Sequence, residues 1–598
     1  RHHHRGERQD EDRAMKATRH AYDDNPCKPR HFKPPPCAPV ALDEPAQQTL
    51  EIGRTRLLVT AGLFAVAFAV IGLRLVDVTL VKPTGETRLT RNHVAGKVEA
   101  SRADIVDRNG VLLATTLASP SLFANPKQIL DARDATKKLI GVLPDLSEAE
   151  VLAKLTSDRS FVWLKRHLTP RQQFEVNRLG VPGFAFEREE RRVYPDGNLV
   201  AHVLGYSGID NKGLAGIERG FDDILKERKE PLQLSIDLRL QHILHEELTR
   251  GVQDFTALGG AGIVMDVRSG EVLALVSLPD FDPNKSSTAT PETTFNRVTL
   301  GTYEMGSIFK TFTAAMALDA HTTTLAGGYD ASHPITVGRF VIHDYHDLHR
   351  WLSVPEIFEY SSNIGAARMA MDAGSDRFKE FLGRLGLLRA PAFEIPEIGA
   401  PTVPSPWREV STMTIAFGHG ISVSPLQVAI AASAVVNGGI LHQATLVKPP
   451  QGYVPAGQQV MSARTSDDMR RLMRLVVEQG TGKDAAAPGY LVGGKTGTAE
   501  KVSGKGYAHK ALLSSFLGAF PINNPRYLVL AIIDEPHGNA KSHGFATGGW
   551  TAAPVVGRSV ARMAPLLGVD PVDESAPEIR RALVIDTPGG SIKKIAAN

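Results

Sequence analysis

Apolar and polar positions give the chain several distinct textures. Residues 1–53 are polar, are broken by Pro34-Pro35-Pro36, and hold no sustained period of 2 or 3.6, which predicts a disordered tail. Leu57 to Leu73 follows as seventeen residues without a charge, LLVTAGLFAVAFAVIGL. As a helix it would extend about 26 Å, and it is apolar all round, so it predicts a transmembrane helix over 54–76. It starts too far from the N-terminus for a cleaved signal peptide and runs straight into Arg74-Leu75-Val76-Asp77, which predicts an uncleaved anchor.

Beyond it the period changes repeatedly. Asp104 to Ala114 reads as strand, Asn109-Gly110 turn, strand. Residues 124–160 carry helical spacing with Pro breaks. Phe161–Leu164 is a predicted strand, and Thr169 caps a predicted helix from Pro170 to Leu179. A glycine-rich stretch, Gly205 to Gly220, leads into a predicted helix at Ile217–Leu225. From Leu232 the pattern is more regular. Leu238–Leu248 is helical, and Ala261–Asp266 and Glu271–Ser277 form a hairpin. Helices are predicted at Ser307–Asp319, Val354–Met371, Ser375–Leu385, Pro425–Asn437 and Ser466–Val477. Strands return at Ser515–Phe520 and Tyr527–Asp534 before a closing helix over Ala552–Leu566. Strands at both ends of a helical middle predict one sheet assembled from the two ends of the domain. The last thirty residues read as a flexible tail.

Composition adds limits. At 598 residues the chain needs more than one core, and 22% charged residues with a net charge of +3 give no basic stripe, which excludes nucleic acid as a partner. Both cysteines, Cys27 and Cys37, lie in the predicted tail, so the remaining domains need no disulfide. Eleven Lys or Arg precede the apolar run, but only Arg54 and Arg56 lie close to it, against Arg74, Lys82, Arg88 and Arg91 beyond. Flanking charge therefore does not decide orientation.

Three short patterns carry chemistry. Ser307-Ile308-Phe309-Lys310 puts a hydroxyl and an amine three apart, hence on one helix face, where a desolvated lysine can take the serine proton. Ser361-Ser362-Asn363 interrupts an amphipathic helix with polar groups suited to proton relay and amide binding. Gly493-Gly494-Lys495-Thr496-Gly497-Thr498 presents a cation and hydroxyls for a carboxylate. Gly489 to Thr496 formally fits a phosphate loop, but Pro488-Gly489-Tyr490 before it and Gly497-Thr498 after it lack that loop's strand and helix, so an edge strand is predicted. Separately, His343, His346 and His349 with Asp344 and Asp347 have i,i+3 spacing that fits either a zinc site or a polar loop lining a groove.

Taken in order, Ser307-x-x-Lys310, Ser361-x-Asn363 and Lys495-Thr496-Gly497 resemble the three motifs of penicillin-binding proteins and serine β-lactamases. Arg102–Ala114 looks like the pedestal motif of class B penicillin-binding proteins. Gly418-His419-Gly420-Ile421-Ser422-Val423-Ser424-Pro425-Leu426-Gln427 is similar to a segment of their cell-division branch, with Ser424 in place of Thr. The resemblance implies an α/β (α+β) transpeptidase fold, an antiparallel sheet flanked by helices, behind an elongated mixed pedestal and one transmembrane helix. The expected divisions are a cytoplasmic tail at 1–53, the membrane helix at 54–76, the pedestal at 89–228, the transpeptidase domain at 229–568 and a tail at 569–598.

It implies a peptidoglycan D,D-transpeptidase acting at the division septum. Ser307 would be the nucleophile, Lys310 its base, Ser361 a proton relay and Asn363 a peptide ligand. Lys495, Thr496, Gly497 and Thr498 would bind the substrate carboxylate, and the Ser307 and Thr498 N–H groups would form the oxyanion hole. No metal or organic cofactor is implied. The implied partners are stem pentapeptides on lipid II-derived strands, β-lactams, a division glycosyltransferase, small bitopic division proteins and the membrane. The implied location is the inner membrane, single-pass, with the catalytic domain periplasmic. Elongation-type crosslinking, D,D-carboxypeptidase or β-lactamase hydrolysis, and a non-catalytic penicillin sensor or scaffold are the alternatives.

Overall fold

The computed structural model describes residues 58–72 and 102–585, apart from 339, 454, 504 and 505. The predicted tail over 1–53, with both cysteines, and residues 586–598 lie outside the described residues.

The apolar run corrects one expectation. Its described helix covers 58–72 and is exposed throughout. Fifteen residues at 1.5 Å each reach about 22 Å, short of a bilayer's hydrocarbon core of about 30 Å. Among the described residues no helix is long and apolar enough to cross a membrane. The transmembrane helix over 54–76, the membrane as a partner and the single-pass inner-membrane location are therefore not supported.

The first part of the remaining chain is built on a mixed sheet. Strand β1 (Ile105–Val106) turns through Asn109-Gly110 into β2 (Leu112–Ala124), pairing Ile105 with Ala114. Asp107 holds the turn by accepting from the N–H groups of Asn109 and Val111 at 2.7 and 2.8 Å. β2 continues against β3 (Val162–Lys165) and, along ten residues, against β4 (Phe184–Val193). Helices Ala132–Val142, Glu148–Leu155 and Pro170–Arg178 pack a small core of their own with Leu122, Leu139, Leu155 and Leu164. Thr169 forms a capping box with Gln172. β5 (Leu232–Gln233) then runs parallel to β1.

Under this sheet lies a buried ion network. Arg102 is 1% exposed and Glu218 is fully buried. Arg102 Nε donates to Glu218 at 2.5 Å and its Nη1 to Asp222 at 2.7 Å. Arg192 Nε donates to the other Glu218 oxygen at 2.7 Å, and Tyr194 Oη lies 3.4 Å from it.

The larger part follows. Helix α1 (Leu238–Asp254) leads into the hairpin β6 (Gly259–Asp266) and β7 (Val272–Leu278). A helical region holds α2 (Lys310–Asp319), α3 (Val354–Glu359), α4 (Asn363–Ala373), α5 (Pro425–Val436) and α6 (Ala463–Glu478). The chain then adds β8 (Gly493–Ser503), β9 (Gly506–Phe520), β10 (Tyr527–Asp534) and α7 (Ala552–Leu566). The five strands form one antiparallel sheet in the order β8-β9-β10-β6-β7, so strands from both ends of this part meet where β10 pairs with β6.

Both sheet faces are covered. Val529, Ala531 and Ile533 pack with α1 and α7, while Leu528, Leu530 and Ile532 face the helical region. That alternation follows from the two-residue period of a strand. It explains why β6, β7 and β10 read as continuous apolar runs. β8 is an edge strand, and its outer side borders the helical region where Ser307 sits.

Candidate active site

Ser307 occupies a single 3-10 turn, Gly306–Phe309, that feeds α2. α2 is apolar nearly all round and buried from Lys310 to Leu318, so it is anchored on every side. The turn lies directly on β8. A Cβ on Gly306, whose φ is +54°, would stand 2.5 Å from the Thr498 carbonyl oxygen, and one on Gly418 would stand 2.0 Å from the Gly306 carbonyl. Glycine at these two positions is what lets three backbone segments approach so closely.

Lys310 is 2% exposed and its Nζ is surrounded by neutral oxygens. It lies 3.0 Å from Ser307 Oγ, 2.5 Å from the Ser361 carbonyl, 3.1 Å from Ser361 Oγ and 2.7 Å from Asn363 Oδ1. Ser361 has a φ of +60°, a strained setting for serine that turns both its carbonyl and its hydroxyl toward Lys310. Lys495 is fully buried on β8, and its Nζ donates to Ser361 Oγ at 2.9 Å. The Ser361 hydroxyl thus bridges the two amines. Thr496 pairs with Thr481 through their hydroxyls at 2.7 Å, Gly497 abuts Met305, and Thr498 Oγ1 accepts the Gly548 N–H at 3.1 Å.

Burial, and then the neighbouring Lys495, hold the Lys310 ammonium well below its ordinary range; the Asp344 carboxylate opposes them. Burial brings Lys495 down to about 7.

All of the motif residues therefore meet in one place: Ser307 and Lys310 from α2 and its entry turn, Ser361 and Asn363 from the start of α4, and Lys495 to Thr498 from β8. Gly489 to Thr496 enters a strand and opens no helix. The histidines are used differently. The His343 carbonyl accepts from Asn363 Nδ2 at 2.9 Å, the His346 ring packs edge-on against Tyr345, and His349 Nδ1 lies 3.4 Å from the Ser332 carbonyl. Among the described residues no group of three or more His, Cys, Asp or Glu is arranged to hold a metal ion.

Sequence reasoning placed Asp344 in a zinc site or a groove-lining loop but not in its role here, and it missed other groups around this centre. Asp344 accepts from Ser362 Oγ at 2.6 Å and from the Ile364 N–H at 2.9 Å, fixing the start of α4. Phe358 places its ring 5.7 Å from Lys495 Nζ. Thr481 and Gly548 come from loops whose approach to β8 no local pattern announces.

Comparison with known proteins gives the family. Residues 260–556 match the family model "Penicillin binding protein transpeptidase domain", and residues 97–243 match "Penicillin-binding Protein dimerisation domain". The chain is 40% identical over 530 residues to a probable peptidoglycan D,D-transpeptidase FtsI of Caulobacter vibrioides, covering 86% of this chain and 89% of that protein. It is 33% identical over 550 residues to a probable peptidoglycan D,D-transpeptidase PenA of Neisseria meningitidis, covering 86% and 92%.

Among solved structures, the transpeptidase domain of penicillin-binding protein 3 from Burkholderia pseudomallei superposes with a TM-score of 0.51 at 35% identity, covering 57% of this chain and 98% of that one. Penicillin-binding protein 3 of Mycobacterium tuberculosis, complexed with aztreonam, shares the fold over 82% of this chain and 99% of its own, with a TM-score of 0.64 at 22% identity. On that identity and coverage, the chain belongs to the class B penicillin-binding proteins, among the FtsI-type D,D-transpeptidases.

Proposed function

We infer that the chain crosslinks peptidoglycan stem peptides at the division septum through a Ser307 acyl-enzyme. The observation that carries the reading is the set of oxygens around Lys310 Nζ. The Ser361 carbonyl at 2.5 Å and Asn363 Oδ1 at 2.7 Å can only accept, so they take both N–H groups of a neutral amine. Its lone pair is left for the Ser307 O–H at 3.0 Å. Lys310 is then a base aimed at the nucleophile, and the desolvation that lowers its pKa favours the neutral form this requires.

The reaction balances as two acyl transfers. The Ser307 proton passes to Lys310 as Oγ bonds to the carbonyl carbon of the penultimate D-Ala. The bond from that carbon to the terminal D-Ala nitrogen breaks, and the nitrogen takes the proton by way of the Ser361 hydroxyl. Lys495, Thr496 and Thr498 hold the departing residue's carboxylate. The Ser307 and Thr498 N–H groups steady the oxyanion, a role worth ~3–4 kcal/mol per donor in other acyl-transfer enzymes. An amine from a second stem peptide then adds to the ester and loses its proton to the same base. The carbon–Oγ bond breaks, and Ser307 recovers its proton. β-Lactams acylate the same serine.

The test uses the full chain with lipid-linked pentapeptide strands and an amine acceptor. Wild type should form crosslinks, and Ser307→Ala should form none and take no penicillin label. Crosslinking by Ser307→Ala at the wild-type rate would sink the reading.

A further inference from the structure

The segment after α7, expected to be a flexible tail from 569, folds back through its described residues onto the start of β8. Helix Pro577–Leu583 lies beside α6, and Leu583 and Ile585 are buried. Arg471 donates to the Val584 carbonyl at 3.0 Å. Further up the segment, the Val572 N–H donates to the Gly489 carbonyl at 2.8 Å, and the Gly489 N–H donates to Glu574 Oε1 at 2.8 Å. Both backbone groups of Gly489, four residues before β8 begins, are therefore held by the segment. A Cβ on Gly489, whose φ is +86°, would stand 3.1 Å from Pro571 Cβ.

Glu574 reaches a second element as well. Its Oε2 accepts from Arg474 Nη2 on α6 at 2.6 Å. Arg474 is 5% exposed, and it donates through Nη1 to the Val492 carbonyl at 3.0 Å and through Nε to Glu478 at 2.8 Å. Val492 is three residues from Lys495. An edge strand has ladder bonds on one side only, so its position on the other side depends on whatever packs there. A strand that shifts by one residue turns every side chain to the opposite face. Lys495 meets Ser361 in the register that β8 takes against β9, and Arg474 and Glu574 hold the chain just before that ladder begins.

We propose that Glu574, acting through Arg474 and Gly489, is a positioning residue for the catalytic centre. In this arrangement the C-terminal segment is a strap that sets β8 so that Lys495 reaches Ser361 and the substrate carboxylate. The proposal rests on Lys495 as the carboxylate ligand of the transpeptidase reading. Glu574 touches neither substrate nor the reacting atoms, so its signature differs from that of a catalytic group. Loosening the strap should weaken capture of a carboxylate-bearing ligand more than it slows acylation once that ligand is bound.

The experiment measures acylation of the full chain by a fluorescent penicillin, resolving the dissociation constant of the first complex from the acylation rate constant. Glu574→Ala should raise that dissociation constant by about tenfold, with a smaller change in the rate constant, as expected for a misplacement of well under 1 Å. Glu574→Gln keeps the length but only one of the two acceptors, with an NH2 set against the other donor, and should recover part of the loss. Glu578→Ala, at an exposed strap position, should behave as wild type. Wild-type binding in Glu574→Ala would overturn the proposal. So would an equal loss in Glu574→Ala and Glu574→Gln that merely follows a fall in Tm. Ser307→Ala run alongside separates the two readings. If it still labels, the nucleophile assignment fails; if it is dead while Glu574→Ala is normal, only the strap fails.

Discussion

Arg102 and Arg192 are buried beneath the pedestal sheet against carboxylates, whereas Lys310 and Lys495 are buried in the transpeptidase part against neutral oxygens. Both arrangements take cations out of water. The first compensates them: Glu218 receives a guanidinium on each carboxylate oxygen. A guanidinium does not give up its proton in a protein, and its planar fork suits fixed two-point contacts. The second leaves each amine without a bonded counter-charge, and desolvation then favours losing the proton. Pairing keeps the charge in place, and withholding the pair favours a neutral amine.

The largest effect should come from the unpaired side. Lys310→Ala removes the amine that lies 3.0 Å from Ser307 Oγ. Acylation by penicillin should fall by ~10³-fold or more, in line with the loss of a positioned base. Stability in urea should not fall in proportion, because no charge is left unpartnered. Acylation within tenfold of wild type would mean that the buried amine is structural.

The pedestal should respond in the opposite sense. Glu218→Ala strands Arg102 and Arg192 without their shared carboxylate, and breaking a buried ion pair from one side costs about 3–5 kcal/mol. Urea unfolding should show that loss, while the folded fraction should still acylate at the wild-type rate. A variant with unchanged stability but slowed acylation would mean that the pedestal network serves the chemistry directly.

The two centres also differ in how far they could be read in advance. The helix that follows Ser307, the edge strand and the sheet drawn from both ends were legible because their residues carry local signals: Ser and Lys three apart, the Gly493-Gly494 pair before Lys495, and apolar runs on strands buried on both faces. β4 was not legible. Glu187 through Arg192 are all charged, and the strand forms because β2 supplies its ladder and Glu218 receives Arg192. Thr481 and Glu574 reach their targets only through tertiary contacts, which leave no trace in spacing. The apolar run misled: its helix over the described residues 58–72 is too short to cross a membrane.

Titration separates charged from unpaired lysines even on one strand. Lys495, brought to about 7 by burial, binds fewer protons folded than unfolded between pH 7 and its ordinary value. Its contribution to stability should therefore rise as pH increases through that window. Lys501, also on β8, has its pKa raised: burial works against its charge, but hydrogen bonds to Glu535 and Asp534 outweigh it. Its contribution should be present below the ordinary lysine value and be lost as pH rises through the higher folded one. Urea midpoints of wild type and Lys495→Met across this range should diverge, with the variant missing the alkaline gain. Carboxylate capture should run the other way, fading by up to about tenfold per unit above pH 7 as Lys495 loses its charge. Parallel midpoints for the two proteins would mean that Lys495 stays charged, and with it the distinction between the two centres would weaken.

The smallest effect belongs to pairs that never leave water. Lys138 and Asp134 meet at 2.7 Å across one helical turn, but both side chains are about half exposed. Solvent and salt screen such a pair, and holding two long side chains in one geometry offsets much of the attraction. Lys138→Ala should lower stability by only ~0.3–0.5 kcal/mol, and 0.5 M salt should remove the difference. The same salt should leave the Glu218→Ala loss nearly intact, because ions do not reach a carboxylate enclosed between two guanidinium groups. A Lys138→Ala loss as large as that of Glu218→Ala would show that proximity of opposite charges alone sets the energy. A small, salt-sensitive one shows that burial does, which is the property the pedestal and the catalytic centre share and use in opposite ways.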